Sequence, residues 1–171
     1  MNKQYPGTRV RYLDACFPFI DKFPLVPHLS HNDGRKLDLS FFYTDAQSGK
    51  QTNDNPSLIG YGVCEEPEAW EVNTAEMCKE KGCWQYSFLK VIVPQWKKDD
   101  FRFDPERTKA LLELLVREAY VSKLFIEPHL KQRLQVQSDK VRFHGCQAVR
   151  HDDHIHFSGK IKSNVFIFFT F

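Results

Sequence analysis

The sequence holds no apolar run near the ~18 residues of a membrane-spanning helix. Its charges almost cancel, with 24 Lys and Arg against 22 Asp and Glu. The resulting net charge of +2 gives no strong pull toward nucleic acid or an acidic membrane surface. A basic stripe interleaved with aromatics, the pattern of a nucleic-acid groove, is missing. So are internal repeats, low-complexity tracts and a regular βαβ alternation. None of Cys16, Cys64, Cys78, Cys83 and Cys146 stands in C-x-x-C spacing, which argues against a thiolate zinc site. Cys78 and Cys83 are spaced to close a small disulfide loop in an oxidising compartment, with free thiols as the alternative. Residues 1–6 lack the apolar stretch and small-residue cleavage site of a signal peptide. Cytosolic residence, another export route and a separate leader all stay open.

What is present points to one folded domain over residues 1–171. The chain is 42% hydrophobic and 27% charged, outside the range of disordered sequences. Its 15 Phe imply an aromatic-rich core. Strands are expected at residues 8–20 (broken at Pro18), 37–43, 58–63, 84–93, 121–126, 141–143, 154–161 and 165–169. Pro24 and Pro27 keep the approach to His28 extended. Residues 44–57 read as a loop and 65–83 as a solvated stretch with one helical turn, together an insertion around 44–83. The best helix is 105–120: Asp104 is placed to cap it, Pro105 suits its first position, and Leu111, Leu114 and Leu115 form a stripe. A short helix is expected at 128–134. The implied class is α+β, with a mainly antiparallel sheet and helices packed around it.

Five of the seven histidines fall in two clusters, His28 and His31, then His151, His154 and His156. His31 and Asp38 would lie about 23 Å apart on a straight strand and about 10 Å apart along a helix. Neither lets both approach one ion at ~2 Å, but the Asn32-Asp33-Gly34 turn between them does. Asp38, between Leu37 and Leu39, also needs a partner to offset burial of its carboxylate. His154 and His156, two apart on a strand, share a face, so one can bind an ion while the other reaches a reacting group. His31, Asp38 and His156 make three nitrogen and oxygen ligands, the open arrangement of catalytic zinc. Asp152 and Asp153 read as solvated charges or as partners of ligand histidines. Arg35 and Arg150 read as surface cations or as grips for a substrate carboxylate. His129 and His144 read as ordinary hydrogen-bonded histidines.

The combined pattern, His28-x2-His31-x2-Gly34-x3-Asp38 and His151-x2-His154-x-His156, resembles the penicillin-insensitive murein endopeptidases. That zinc-peptidase group also includes lysostaphin-type endopeptidases, D-Ala-D-Ala peptidases and the hedgehog domain. Leu37-Asp38-Leu39 and Leu124-Phe125-Ile126-Glu127-Pro128 agree with it, and the resemblance covers roughly residues 25–43 and 120–160. It implies Zn2+ held by His31, Asp38 and His156, and His154 as general base or stabiliser of the tetrahedral intermediate. It also implies His151 as a second catalytic or supporting histidine, with His28 lining the site or holding an accessory ion. The implied reaction is hydrolysis of peptidoglycan peptides next to D-Ala, and hence a periplasmic or extracellular setting. Multiple disulfides of the periplasmic enzymes have no clear match, and residues 44–103 have no counterpart. Two other readings compete: a hedgehog-like binding module without hydrolysis, and a non-haem iron oxygenase. The second normally places its first His and carboxylate nearly adjacent, unlike His31 and Asp38.

Overall fold

The computed structural model describes residues 1–15, 35–83 and 88–160. In chain order these residues form β1 (Tyr12–Ala15), β2 (Lys36–Ser40), β3 (Tyr43–Asp45), β4 (Gln51–Thr52), α1 (Thr74–Glu80) and α2 (Phe88–Ile92). There follow β5 (Phe101–Phe103), α3 (Pro105–Arg117), β6 (Val121–Phe125), α4 (Pro128–Arg133), β7 (Val141–Arg142) and β8 (His154–Gly159). The class is α+β, as expected. A five-stranded sheet runs β1-β2-β8-β6-β7, and a three-stranded antiparallel sheet runs β4-β3-β5. The larger sheet is mixed, because β6 and β7 pair in parallel.

Strand β8 lies at the middle of the larger sheet, antiparallel to β2 and β6. Its alternation assigns the two faces. Ile155 and Phe157 enter the core with Leu39, Leu124 and the α3 residues Leu111, Leu112 and Leu115. Helix α3 starts as its cap predicts, with Asp104 accepting from the Arg107 N–H at 3.1 Å. It stops three residues before the expected 120, where Glu118 turns extended and its N–H reaches Leu115 O at 3.2 Å. Arg107 then ties the helix to the smaller sheet. Its Nε donates to Asp104 Oδ2 at 2.6 Å, and its Nη2 donates to the carbonyls of Tyr43 and of Thr52, the latter at 3.0 Å.

The middle of the chain departs from expectation. Residues 37–43 divide between β2 and β3, so that Tyr43 leaves for the second sheet. The loop read at 44–57 contains the β3–β4 pairing of Thr44 with Gln51. Residues 58–63 form bends, since Gly60 and Gly62 take φ of +86° and +84°. The strand read at 84–93 is helical over Phe88–Ile92, and residues 84–87 lie outside the described residues. The stretch 65–83 is not simply solvated: α1 buries Thr74 and Cys78, and Glu71 pairs with Arg133 at 2.5 Å. Cys78 is bonded to Cys146, not to Cys83; 68 residues separate the two. Strands read at 121–126 and 141–143 are present as β6 and β7, and 154–161 as β8 to Gly159; 165–169 is outside the described residues.

Candidate metal centre

The antiparallel register places Asp38 of β2 and Phe125 of β6 on either side of His156. His156 Nδ1 lies 2.8 Å from Asp38 Oδ1, and His154 Nε2 lies 3.8 Å from Asp38 Oδ2. His151 arrives from the loop before β8, with its ring 5.0 Å from that of His154 and 5.4 Å from that of His156. Buried Glu127 latches that loop: its Oε1 accepts the His151 N–H at 3.1 Å, and its own N–H donates to His151 O at 3.0 Å. Ligand atoms of His151, His154 and His156 all lie within 4.8 Å of one another, close enough to hold a metal ion. Asp38 is fully buried and each of the three histidines is at most 3% exposed. Four such groups, removed from water together, need compensating partners.

Some partners come from the 57–63 bend. Tyr61 Oη donates to Asp38 Oδ2 at 2.9 Å, and its ring stands edge-on to His154 at 5.1 Å. Gly62 N–H donates to Asp153 Oδ2 at 2.6 Å, while Asp153 Oδ1 contacts His154 Nδ1. Gly60 lets this bend approach β1, since a Cβ there would sit 2.1 Å from Leu13 Cδ2. Asp153 thereby fixes the His154 ring and leaves Nε2 facing Asp38.

The histidines differ in charge preference. Burial opposes the His154 imidazolium, but Asp38 and Asp153 outweigh it and raise its pKa to about 9. Burial, reinforced by His154 and His156, drives His151 well below its ordinary 6.5. His151 is therefore a neutral imidazole with a lone pair to offer. Its buried Nδ1 has no hydrogen-bond partner among the described residues. With His154 and His156, this imidazole makes a buried three-histidine group that could hold a metal ion.

The other sequence-read residues are distributed unevenly. His28 and His31 lie outside the described residues. Arg35 is exposed just before β2, its carbonyl accepting from Gly159 N–H at 2.8 Å. Arg150 is engaged in pairs with Asp152 and, at 2.9 Å, with Glu66, so it holds the loop in place. Asp152 and Asp153 are buried partners and not solvated charges. Burial raises Asp152 to about 7 despite Arg150 beside it. His129 is the ordinary core histidine expected, donating from Nε2 to Glu65 O at 2.7 Å.

His144, read as equally ordinary, joins the centre. It stacks on Phe125 at 4.3 Å and stands 5.1 Å from His151 and 5.9 Å from His156. Unlike the other three it is exposed, and marks the open side of the cluster. The Cys78–Cys146 bond anchors the loop that carries it. No local spacing announces His144; only the β6–β7 pairing brings it near. Tyr61 was equally unmarked.

No protein-family model matches this chain, and no curated protein matches it either.

Proposed function

We propose that this protein is a zinc-dependent peptidase acting on peptidoglycan stem or cross-bridge peptides next to D-Ala. The observation that carries the reading is the convergence of Asp38, His151, His154 and His156 in one buried cluster with an unpartnered imidazole nitrogen. The spacing His31-x6-Asp38 with His151-x2-His154-x-His156, as in the murein endopeptidases, supports the substrate class. Asp38 and His156 would hold the metal, with His31, outside the described residues, as the third ligand that the sequence spacing implies. A bound zinc supplies Lewis acidity, polarising the scissile carbonyl and making water nucleophilic near neutral pH.

The chain's own residues do the rest. Asp153 fixes His154 through Nδ1, so that Nε2 holds the proton to be exchanged with water or with the leaving amine. Tyr61 keeps Asp38 in place. His151, neutral and with its ring against those of both histidines, is the supporting histidine of the site. A second ligand arrangement is favoured by the mutual closeness of the three histidines: His151, His154 and His156 hold the ion and Asp38 orients His156.

Mass spectrometry of muropeptides incubated with the protein tests the reading. A cut beside D-Ala that a chelator abolishes and zinc restores is the expected outcome. Zinc bound at full occupancy with every muropeptide intact would replace the peptidase reading with the binding-module one.

A further inference from the structure

Lys36 of β2 and Lys123 of β6 both register with Ser158 of β8, one from each side. Directly opposed residues share a sheet face, and Ser158 shares that of His154 and His156 by alternation. The histidine face therefore carries two neighbouring rows, Asp38–His156–Phe125 and Lys36–Ser158–Lys123. Rows two residues apart are about 7 Å apart, and strands flanking a common neighbour are about 10 Å apart. Two flexible lysine stems across that gap can bring both ammonium groups to one anion.

Lys123 is exposed, and Lys36 and Ser158 are half-buried. Positive charge thus stands at the rim, one row from the Asp38–His156 pair.

We propose that Lys36 and Lys123 form an anion-recognising subsite that takes a carboxylate of the bound peptide. The proposal rests on the peptidase reading above and deepens it. The row spacing of about 7 Å matches about two residues of extended peptide. A C-terminal carboxylate between the lysines would place one of the last peptide bonds at the His156 row, giving carboxypeptidase action. An acidic side chain in the same place would leave an internal bond there.

Calorimetry on the zinc-loaded full chain separates these cases with three probes. They are acetyl-D-alanyl-D-alanine, its C-terminal amide, and acetyl-D-alanyl-D-glutamic acid α-amide, which keeps only a side-chain carboxylate. The free acid is expected to bind about tenfold tighter than its amide. The K36Q/K123Q double variant is expected to erase that ratio with zinc content unchanged, while K50Q, a charge loss at an exposed position beside β4 of the other sheet, preserves it. Preference for the terminal acid alone assigns the carboxylate to a chain end; equal preference for the glutamate probe assigns it to a side chain. Acid and amide binding alike to the wild-type chain, or a ratio that survives K36Q/K123Q, would overturn the proposal. A chain that takes up no zinc contradicts the peptidase reading instead, and the acid-to-amide ratio of that metal-free chain still decides the role of the lysines.

Discussion

Two buried polar clusters in this molecule solve the same problem differently. Around Arg107, the ion pair to Asp104 engages Nε and the carbonyls of Tyr43 and Thr52 engage Nη2 inside the protein. Around His156, Asp38 and three histidines gather without closing, and His151 Nδ1 is left over among the described residues. The first cluster joins a helix to a sheet. The second lies on one face of β8, opposite Ile155 and Phe157, where an apolar core would have cost less. Buried polar groups that satisfy one another hold a fold together; several histidines whose ligand atoms converge within 4.8 Å of one another form a group that could hold an ion.

The sharpest way to separate the clusters is His154→Ala. It is expected to keep the fold and the zinc but lower turnover by about 10²–10⁴-fold, the usual worth of a proton-transfer group. Near wild-type turnover would remove His154 from the chemistry. The mirror experiment is Arg107→Met, which leaves Asp104 buried at 8% exposure without its cation. Denaturant unfolding should show a loss of about 3–5 kcal/mol with zinc content intact. Zinc loss without destabilisation would mean that the contrast has been drawn wrongly.

A smaller effect is expected at Tyr61→Phe, which deletes the 2.9 Å hydrogen bond to Asp38 Oδ2. Competition with a chromophoric chelator should show zinc affinity falling by about 10–100-fold, as when other partners of metal-binding groups are lost. Unchanged affinity would argue that Asp38 is not in the metal's environment.

The smallest effect belongs to His129, whose pKa burial lowers below 6.5. Its unfolded form binds a proton before its folded form does, so stability is full above 6.5 and falls as pH drops through 6.5 toward the lower folded value. His129→Gln keeps a donor for Glu65 O without titrating. Stability of that variant should fall less than wild type on acidification from pH 7.5, and parallel curves would refute the assignment.

The parts of this architecture that were legible in the sequence are those set by neighbours along the chain. Asp104 and Pro105 mark the start of α3, and the alternation His154, Ile155, His156, Phe157 divides β8 into a site face and a core face. Asp38 stood out as a carboxylate between two leucines, and the structure buries it against His156. What could not be read depends on contacts distant in sequence. Tyr61 and Gly62 reach Asp38 and Asp153 across 23 and 91 residues. Cys146, not nearby Cys83, meets Cys78 because the fold brings the 143–150 loop to α1. Within the 84–93 stretch, the described residues Phe88–Ile92 are helical because a short apolar run such as Phe88-Leu89-Lys90-Val91-Ile92 fits a helix as well as a strand.

The central claim is that the open cluster is a metal centre built on Asp38 and His156. Elemental analysis of the purified chain beside its His156→Ala and His154→Ala variants tests it most directly. The account predicts one zinc per chain in the wild type and in His154→Ala, and none in His156→Ala. Loss of zinc from His154→Ala as well would move the ion to the three-histidine arrangement. A wild-type chain without metal after exposure to zinc, or full zinc occupancy in His156→Ala, would contradict the account.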